Sequence, residues 1–239
     1  MSRFLFTSRA GGVSNAPYES LNLATHVGDS FESVDENRLI LANLLGYQRS
    51  QLFFMNQVHG NKVVIVDKNS DSEFTPDADA LFTTQRDMAL VTLVADCIPL
   101  LLESSNAVAA VHVGRKGLVL NILQETLRVF QEHGIKSNEV KAHVGPSICA
   151  KCYEVGEDVY RDVVALVPAA ASQFRSLSDK PCLDIEAGLI SQLDSQGVIW
   201  EKVGKCTLHD DGYFSYRRNG VTGRQAGVIT LNEGRASGS

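Results

Sequence analysis

The sequence predicts an α/β fold: a single domain in which mixed β-sheets are layered with flanking helices. Three observations predict it. Short apolar runs rich in Val, Leu and Ala recur along the chain, continuous enough for interior strands covered on both faces. They alternate with amphipathic stretches of helical period. The central runs are separated by hairpin-length turns, which argues against a purely parallel, doubly wound sheet. No periodic repeat or strong linker interrupts the 239 residues, so one domain over 1–239 is expected, with the Gly/Ser-rich 234–239 as a frayed tail.

The elements follow in order. RFLFT at 3–7 reads as a strand ending in the turn-forming RAGG. Residues 33–45 read as a helix in which Val34, Leu41, Leu44 and Leu45 share a face, and Gly46 suits its left-handed C-terminal boundary. Strands are expected at 51–55 and 63–66, then in close succession at 80–84, 90–93, 100–102 and 108–113. The clearest helix spans 117–133, with Leu118, Ile122, Leu127 and Val129 apolar and Gly134 as the stop. A strand at 141–144 precedes two helices, 157–167 and 184–193, separated by an Ala/Ser-rich surface segment and Pro181. Strands at 198–203 and 227–231 complete the reading.

Composition narrows the function classes. A hydrophobic share of 44% indicates a folded globular chain. The net charge of -6 disfavours a nucleic-acid surface, which needs clustered positive charge, but not a small pocket holding a few arginines. No secretory leader is visible, and no apolar run approaches the roughly 20 residues of a membrane span. Five cysteines leave one unpaired whatever the others do, which fits reduced thiols and a cytoplasmic protein without a membrane partner.

Three residues at strand ends or turns stand out as metal ligands: His59 in NQVHG, Cys97 in VADCIPL and His112 in AAVHVG. Imidazole nitrogen and thiolate sulfur suit zinc, and also copper, and three protein ligands leave a fourth position for water or substrate. Their spacing alone does not separate them from unrelated core and loop residues. Asp96, beside Cys97 at the end of an apolar run, is costly to bury unpaired; it is expected to orient a ligand, act as a base or cap the turn before Pro99. Cys97 near a histidine also allows an activated nucleophile. Cys149-x-x-Cys152 allows a redox pair or half of a zinc site, but no second CxxC completes four thiolates, so a turn with free thiols is expected. His143 and His209 are potential pocket residues, and His26 and His133 read as turn or surface histidines.

The segments NQVHG, ADCIPLLL and VHVGRKGL resemble the YfiH-like family, also called the multicopper polyphenol oxidase or laccase-domain family. The resemblance runs through nearly the whole chain, in RAGGVS, NLATHVGD, GPSICAKCYEVG, LDIEAGLISQL and CTLHDDGYFSYRRNGVTGRQAGVI. It implies a mixed α/β fold with zinc held at the active site by His59, Cys97 and His112. It further implies phosphorolysis of adenosine, inosine and methylthioadenosine, with adenosine deamination alongside. Two other roles known among the members are copper-dependent phenol oxidation and editing of peptidoglycan precursors. One segment departs from the family pattern: where HAGWRG is usual, this chain has Arg115 at the aromatic position and Lys116 at the arginine position. Lysine lacks the bidentate fork of arginine, and the indole platform is missing.

Phosphorolysis needs cations for phosphate. Arg9, Lys116, Arg217 and Arg224 are the candidates, the three arginines each grouped with glycine, and solvated turn cations are the alternative for each arginine. Asp96 is the expected proton-transfer partner and Cys97 a catalytic ligand. A small nucleoside and phosphate are the expected substrates.

Overall fold

The computed structural model describes residues 2–231; the tail expected at 234–239 lies outside them. The chain runs β1 (Ser2–Phe6), α1 (Phe31–Leu45), β2 (Leu52–Phe53), β3 (Val63–Ile65), β4 (Ala80–Thr83), β5 (Ala89–Val94), β6 (Ile98–Glu103) and β7 (Val108–Val113). It continues α2 (Arg115–Val119), α3 (Ile122–Glu132), β8 (Lys141–Val144), α4 (Glu157–Leu166), β9 (Ala171–Arg175), β10 (Pro181–Leu183), α5 (Ile185–Ser195), β11 (Ile199–Lys202), α6 (Tyr216–Asn219) and β12 (Gln225–Leu231). No helix among the described residues is long and apolar enough to cross a membrane.

Two mixed sheets form the centre, one of four strands in the order β1-β12-β5-β2 and one of six in the order β11-β8-β6-β7-β4-β3. Parity along each strand decides what faces what, because successive side chains point to opposite faces. In β6 and β7, Leu100, Leu102, Ala109 and Val111 join the core beneath α2, α3 and α5, while Leu101, Val108 and Ala110 pack between the sheets against Leu90, Ile229 and Leu231. The outer face of the smaller sheet packs Val91, Leu93 and Val228 against Leu41, Ala42 and Leu45 of α1. The order is helix, sheet, sheet, helices. Burial on both faces explains why β5 and β7 read as unbroken apolar runs.

Four expectations change. The stretch expected as one helix over 117–133 is two, because Asn121 takes a left-handed conformation (φ 54°) and its side chain caps the N–H of Gln124 at the start of α3. Leu44 of α1 is exposed, not on the core face. The strand at 51–55 pairs only over Leu52–Phe53. The Ala/Ser-rich segment is an antiparallel hairpin, β9 with β10, whose register shifts between Pro181 and Leu183.

Candidate active site and metal centre

Strand register brings the first cluster together. Pro99 of β6 pairs with His112 of β7, and Ala80 of β4 pairs with Val111, so Cys97, His112 and Asp79 stand at neighbouring ends of three adjacent strands. His112 shares parity with Val108 and Ala110, which sends its ring into the layer between the sheets, where it is 3% exposed. His59 arrives on the loop between β2 and β3. Gln57 anchors that loop to β5: its amide donates to Leu93 O at 2.7 Å and accepts from Leu93 N–H at 2.8 Å. One donor atom from each of His59, Cys97 and His112 lies within 4.8 Å of the others. The two imidazoles meet edge to face with centroids 4.7 Å apart.

Asp79 organises this cluster, and sequence reasoning passed over it. Its carboxylate is fully buried and accepts from the backbone N–H of His59 at 3.0 Å and of Gly60 at 2.6 Å. It also meets His112 Nδ1 at 2.7 Å. That contact leaves the opposite ring nitrogen of His112 for an ion, the arrangement by which a second carboxylate fixes the tautomer of a metal-binding histidine. The clamp on the His59 and Gly60 amides also holds His59 in its left-handed backbone conformation, φ 58°. The sole legible signal was an acidic residue just before an apolar strand. The orienting role considered for Asp96 thus belongs to Asp79.

The donor set fits a late first-row metal. Gly114 makes room for it: a Cβ there would stand 2.9 Å from His59 Nδ1 and 3.2 Å from Cys97 Sγ. The electrostatics without an ion fit as well. Burial opposes charge on His112, but the Cys97 thiolate and hydrogen bonds to Asp79 and Cys97 outweigh it and push the imidazole up to about 9. Desolvation would raise Asp79, yet His112 and the two amides hold it below the usual carboxylate range. His59 is lowered by loss of water around its ring and by His112.

The cluster floors a cavity of about 510 Å³ whose walls include His26, Tyr153, Tyr216, Arg217 and Arg224. Asp96 lines it too, in a left-handed conformation with φ 94°, accepting from Thr207 Oγ1 and from the Arg217 backbone N–H, each at 2.7 Å. Arg217 lies over the Tyr153 ring and donates to Glu154 O at 2.6 Å; Arg224 donates to Thr222 O and Gly223 O, both at 2.9 Å. Arg9 and Lys116 are not among the lining residues. Arg9 donates to Glu19 O at 2.7 Å and lies over Phe214, a packing role. Lys116 sits on α2, close enough for its charge to disfavour protonation of His59.

His26, expected as a turn histidine, borders the cavity and is lowered by burial and by Arg224 and Arg38. Tyr153 is raised by burial and by Cys97, against the charges of Arg115 and Arg217. The departure at Arg115 therefore puts a cation near Tyr153 where the family pattern has an indole. His143, expected as a potential pocket residue, is instead buried between Glu201 at 2.7 Å and Glu103 at 2.9 Å, stacked on Phe4. His209 lies away from this cavity, beside Cys152.

Comparison with known proteins agrees with this architecture. A purine nucleoside phosphorylase of Corynebacterium glutamicum is 43% identical over 96% of this chain and 94% of its own length. One from Streptomyces coelicolor is 40% identical over 97% and 96%. The crystal structure of a Neisseria meningitidis protein superimposes with a TM-score of 0.86 at 37% identity, covering 97% of this chain and 95% of that one. YfiH of Bacillus licheniformis reaches a TM-score of 0.90 at 25% identity, covering 97% and 93%. Residues 3–232 match the family described as multi-copper polyphenol oxidoreductase laccase, and with near-complete coverage in sequence and fold the chain belongs to this YfiH-like family.

Proposed function

We propose that the protein is a zinc-dependent purine nucleoside phosphorylase acting on adenosine, inosine and methylthioadenosine, with adenosine deamination as a side activity. The observation that carries this reading is the three-donor set of His59, Cys97 and His112 opening onto a cavity walled by two arginines and two tyrosines. Relatives at 43% and 40% identity bear the phosphorylase name.

Phosphorolysis forms a bond from a phosphate oxygen to the anomeric carbon of ribose and breaks the bond to the purine nitrogen, which leaves with the electron pair and takes up a proton. Arg217 and Arg224 hold phosphate, since guanidinium N–H groups beyond those bonded to backbone carbonyls are free to fork onto its oxygens. Tyr153 and Tyr216 flank the nucleoside, offering ring faces for a purine. Asp96 holds the start of α6, and with it Arg217, through the Arg217 N–H. Asp96 accepts one hydrogen bond on each oxygen, which leaves a lone pair on each for proton transfer during deamination. A zinc ion held by His59, Cys97 and His112 would supply Lewis acidity at the cavity floor.

The experiment is direct. Metal-defined protein is incubated with adenosine or inosine, with and without phosphate, and the products are identified by mass. Phosphate-dependent free base with ribose 1-phosphate is expected, and inosine from adenosine marks deamination. Absence of free base from adenosine, inosine and, added as a third substrate, methylthioadenosine at full zinc loading overturns the reading. The family description favours a second reading, copper-dependent phenol oxidation, because a His/Cys set also accepts copper. Turnover of a phenol only in copper-loaded protein, with no nucleoside cleavage, would support it.

A further inference from the structure

We propose that Cys149, Cys152, Cys206 and His209 form a second metal site, a closed centre of three thiolates and one imidazole holding a structural zinc ion. One donor atom from each lies within 4.8 Å of the other three. The donors come in two pairs, Cys149-x-x-Cys152 and Cys206-x-x-His209, each with the two-residue gap of a zinc knuckle, in which a tight turn brings both side chains to one ion. The turns are present. Cys152 N–H and Tyr153 N–H both donate to Cys149 O, at 2.9 and 3.2 Å, and Asp210 N–H donates to Cys206 O at 3.0 Å.

The distances suit a tetrahedron. Zinc–sulfur bonds of about 2.3 Å give sulfur–sulfur edges of about 3.8 Å. With a zinc–nitrogen bond of about 2.0 Å the sulfur–nitrogen edge is about 3.5 Å, and Cys152 Sγ stands 3.1 Å from His209 Nε2, a small adjustment away. The Cys149 N–H donates to Cys206 Sγ at 3.4 Å, the amide-to-sulfur contact that stabilises a ligand thiolate. None of the three sulfurs is in a disulfide. As neutral groups the four can share only weak hydrogen bonds such as that between Cys152 and His209; a divalent cation gives all four lone pairs a common partner and releases the three thiol protons. Four protein ligands complete the coordination of zinc, which makes this centre structural.

The ion would tie together two segments that build one wall of the cavity. Ser147 and Thr207 already bridge them through Ser147 N–H to Lys205 O and Thr207 N–H to Ser147 O, both at 3.1 Å. On one side of the knuckle Ile148 and Tyr153 line the cavity, and on the other Thr207 holds Asp96. The proposal does not depend on what reaction the cavity supports.

The test counts metal. Full-length protein produced in zinc-supplemented medium is analysed by native mass spectrometry and elemental analysis. Two zinc ions per chain are expected. Cys206→Ser, and Cys149→Ser with Cys152→Ser, should each retain one, and Cys97→Ser with His112→Ala should also retain one. In the Cys97/His112 variant Cys149, Cys152 and Cys206 should resist alkylation until a chelator is added, while in the wild-type protein Cys97 is protected with them. Cobalt loading should give strong thiolate-to-metal charge transfer that survives in the Cys97/His112 variant. One zinc per chain that vanishes entirely in that variant overturns the proposal, as does a disulfide among the three cysteines with an unchanged zinc count in Cys206→Ser. If the Cys149/Cys152 and Cys206 variants fail to fold, thiol protection and the cobalt spectrum of the Cys97/His112 variant decide.

Discussion

Among the described residues the molecule carries two donor clusters made of the same side chains, and they differ in number, support and surroundings. His59, Cys97 and His112 are three; a buried carboxylate orients them and they open on a cavity of about 510 Å³. Cys149, Cys152, Cys206 and His209 are four, held by turns whose backbone amides take the place of a carboxylate, with His209 at the surface. A three-donor site leaves coordination free for chemistry, whereas a four-donor site is saturated and can only cross-link. All but the last of the following predictions separate the clusters.

The largest effect is expected from His112→Ala. A catalytic metal supplies several kcal/mol of stabilisation, so nucleoside turnover should fall on the order of a thousand-fold while one zinc per chain remains. Steady-state rates alongside metal analysis check this; undiminished turnover would sink the catalytic role. Gly114→Ala reaches the same cluster by a different route. Its backbone is ordinary (φ -87°), so the added methyl acts only by crowding His59 and Cys97, and a loss of the open-site metal at near-wild-type folding is expected.

Next comes Asp79→Asn. Loss of an orienting carboxylate typically costs about 10–100-fold in metal affinity or activity, and the closed cluster should be untouched. Chelator competition on both sites measures the contrast.

The pH response should differ in slope, since the closed cluster releases three thiol protons and is the steeper of the two. His112 carries its proton up to about 9 without an ion, so binding at neutral pH must displace that proton. Affinity at the open site should therefore rise with pH from 6 toward 9, by about tenfold per unit for each proton displaced, and fall as the solution is acidified. A pH-independent affinity would contradict the His112–Asp79 assignment.

The smallest effects divide the cations. Arg224→Ala, at the cavity wall, should raise the KM for phosphate by about tenfold, as expected for a lost charge-assisted hydrogen bond. Arg9→Ala, outside it, should leave that KM within about twofold and lower thermal stability slightly through its lost contacts to Glu19 and Phe214. Equal effects from the two would remove the reason for preferring Arg224.

Much of the scaffold was legible because burial writes itself into strands. The apolar runs of β5, β6 and β7 identify interior strands whatever their partners, since each face must meet another layer. Local chemistry misled where a single residue outweighed a period: Asn121 interrupts an otherwise continuous helical pattern by capping α3. The hairpin β9–β10 stayed hidden because its first strand is half exposed and polar, with only alternation to mark it. At the site, His59, Cys97 and His112 stood out as residue types, and the family resemblance gave them a common purpose. Asp79 did not, because an aspartate before a strand looks like a turn residue until register sets it against His112.

The sequence by itself determined the alternation of helices and strands, the acidic surface charge and the three residues able to hold an ion beside the cavity. Only tertiary structure decided which carboxylate serves them, which arginines reach the cavity, and that Cys149 and Cys152 meet Cys206 and His209. The physical reason is range. Periodicity and turn chemistry act over a few residues and are recorded locally, but a site is a coincidence of strand ends and turns separated by dozens of residues, set by sheet register and layer packing.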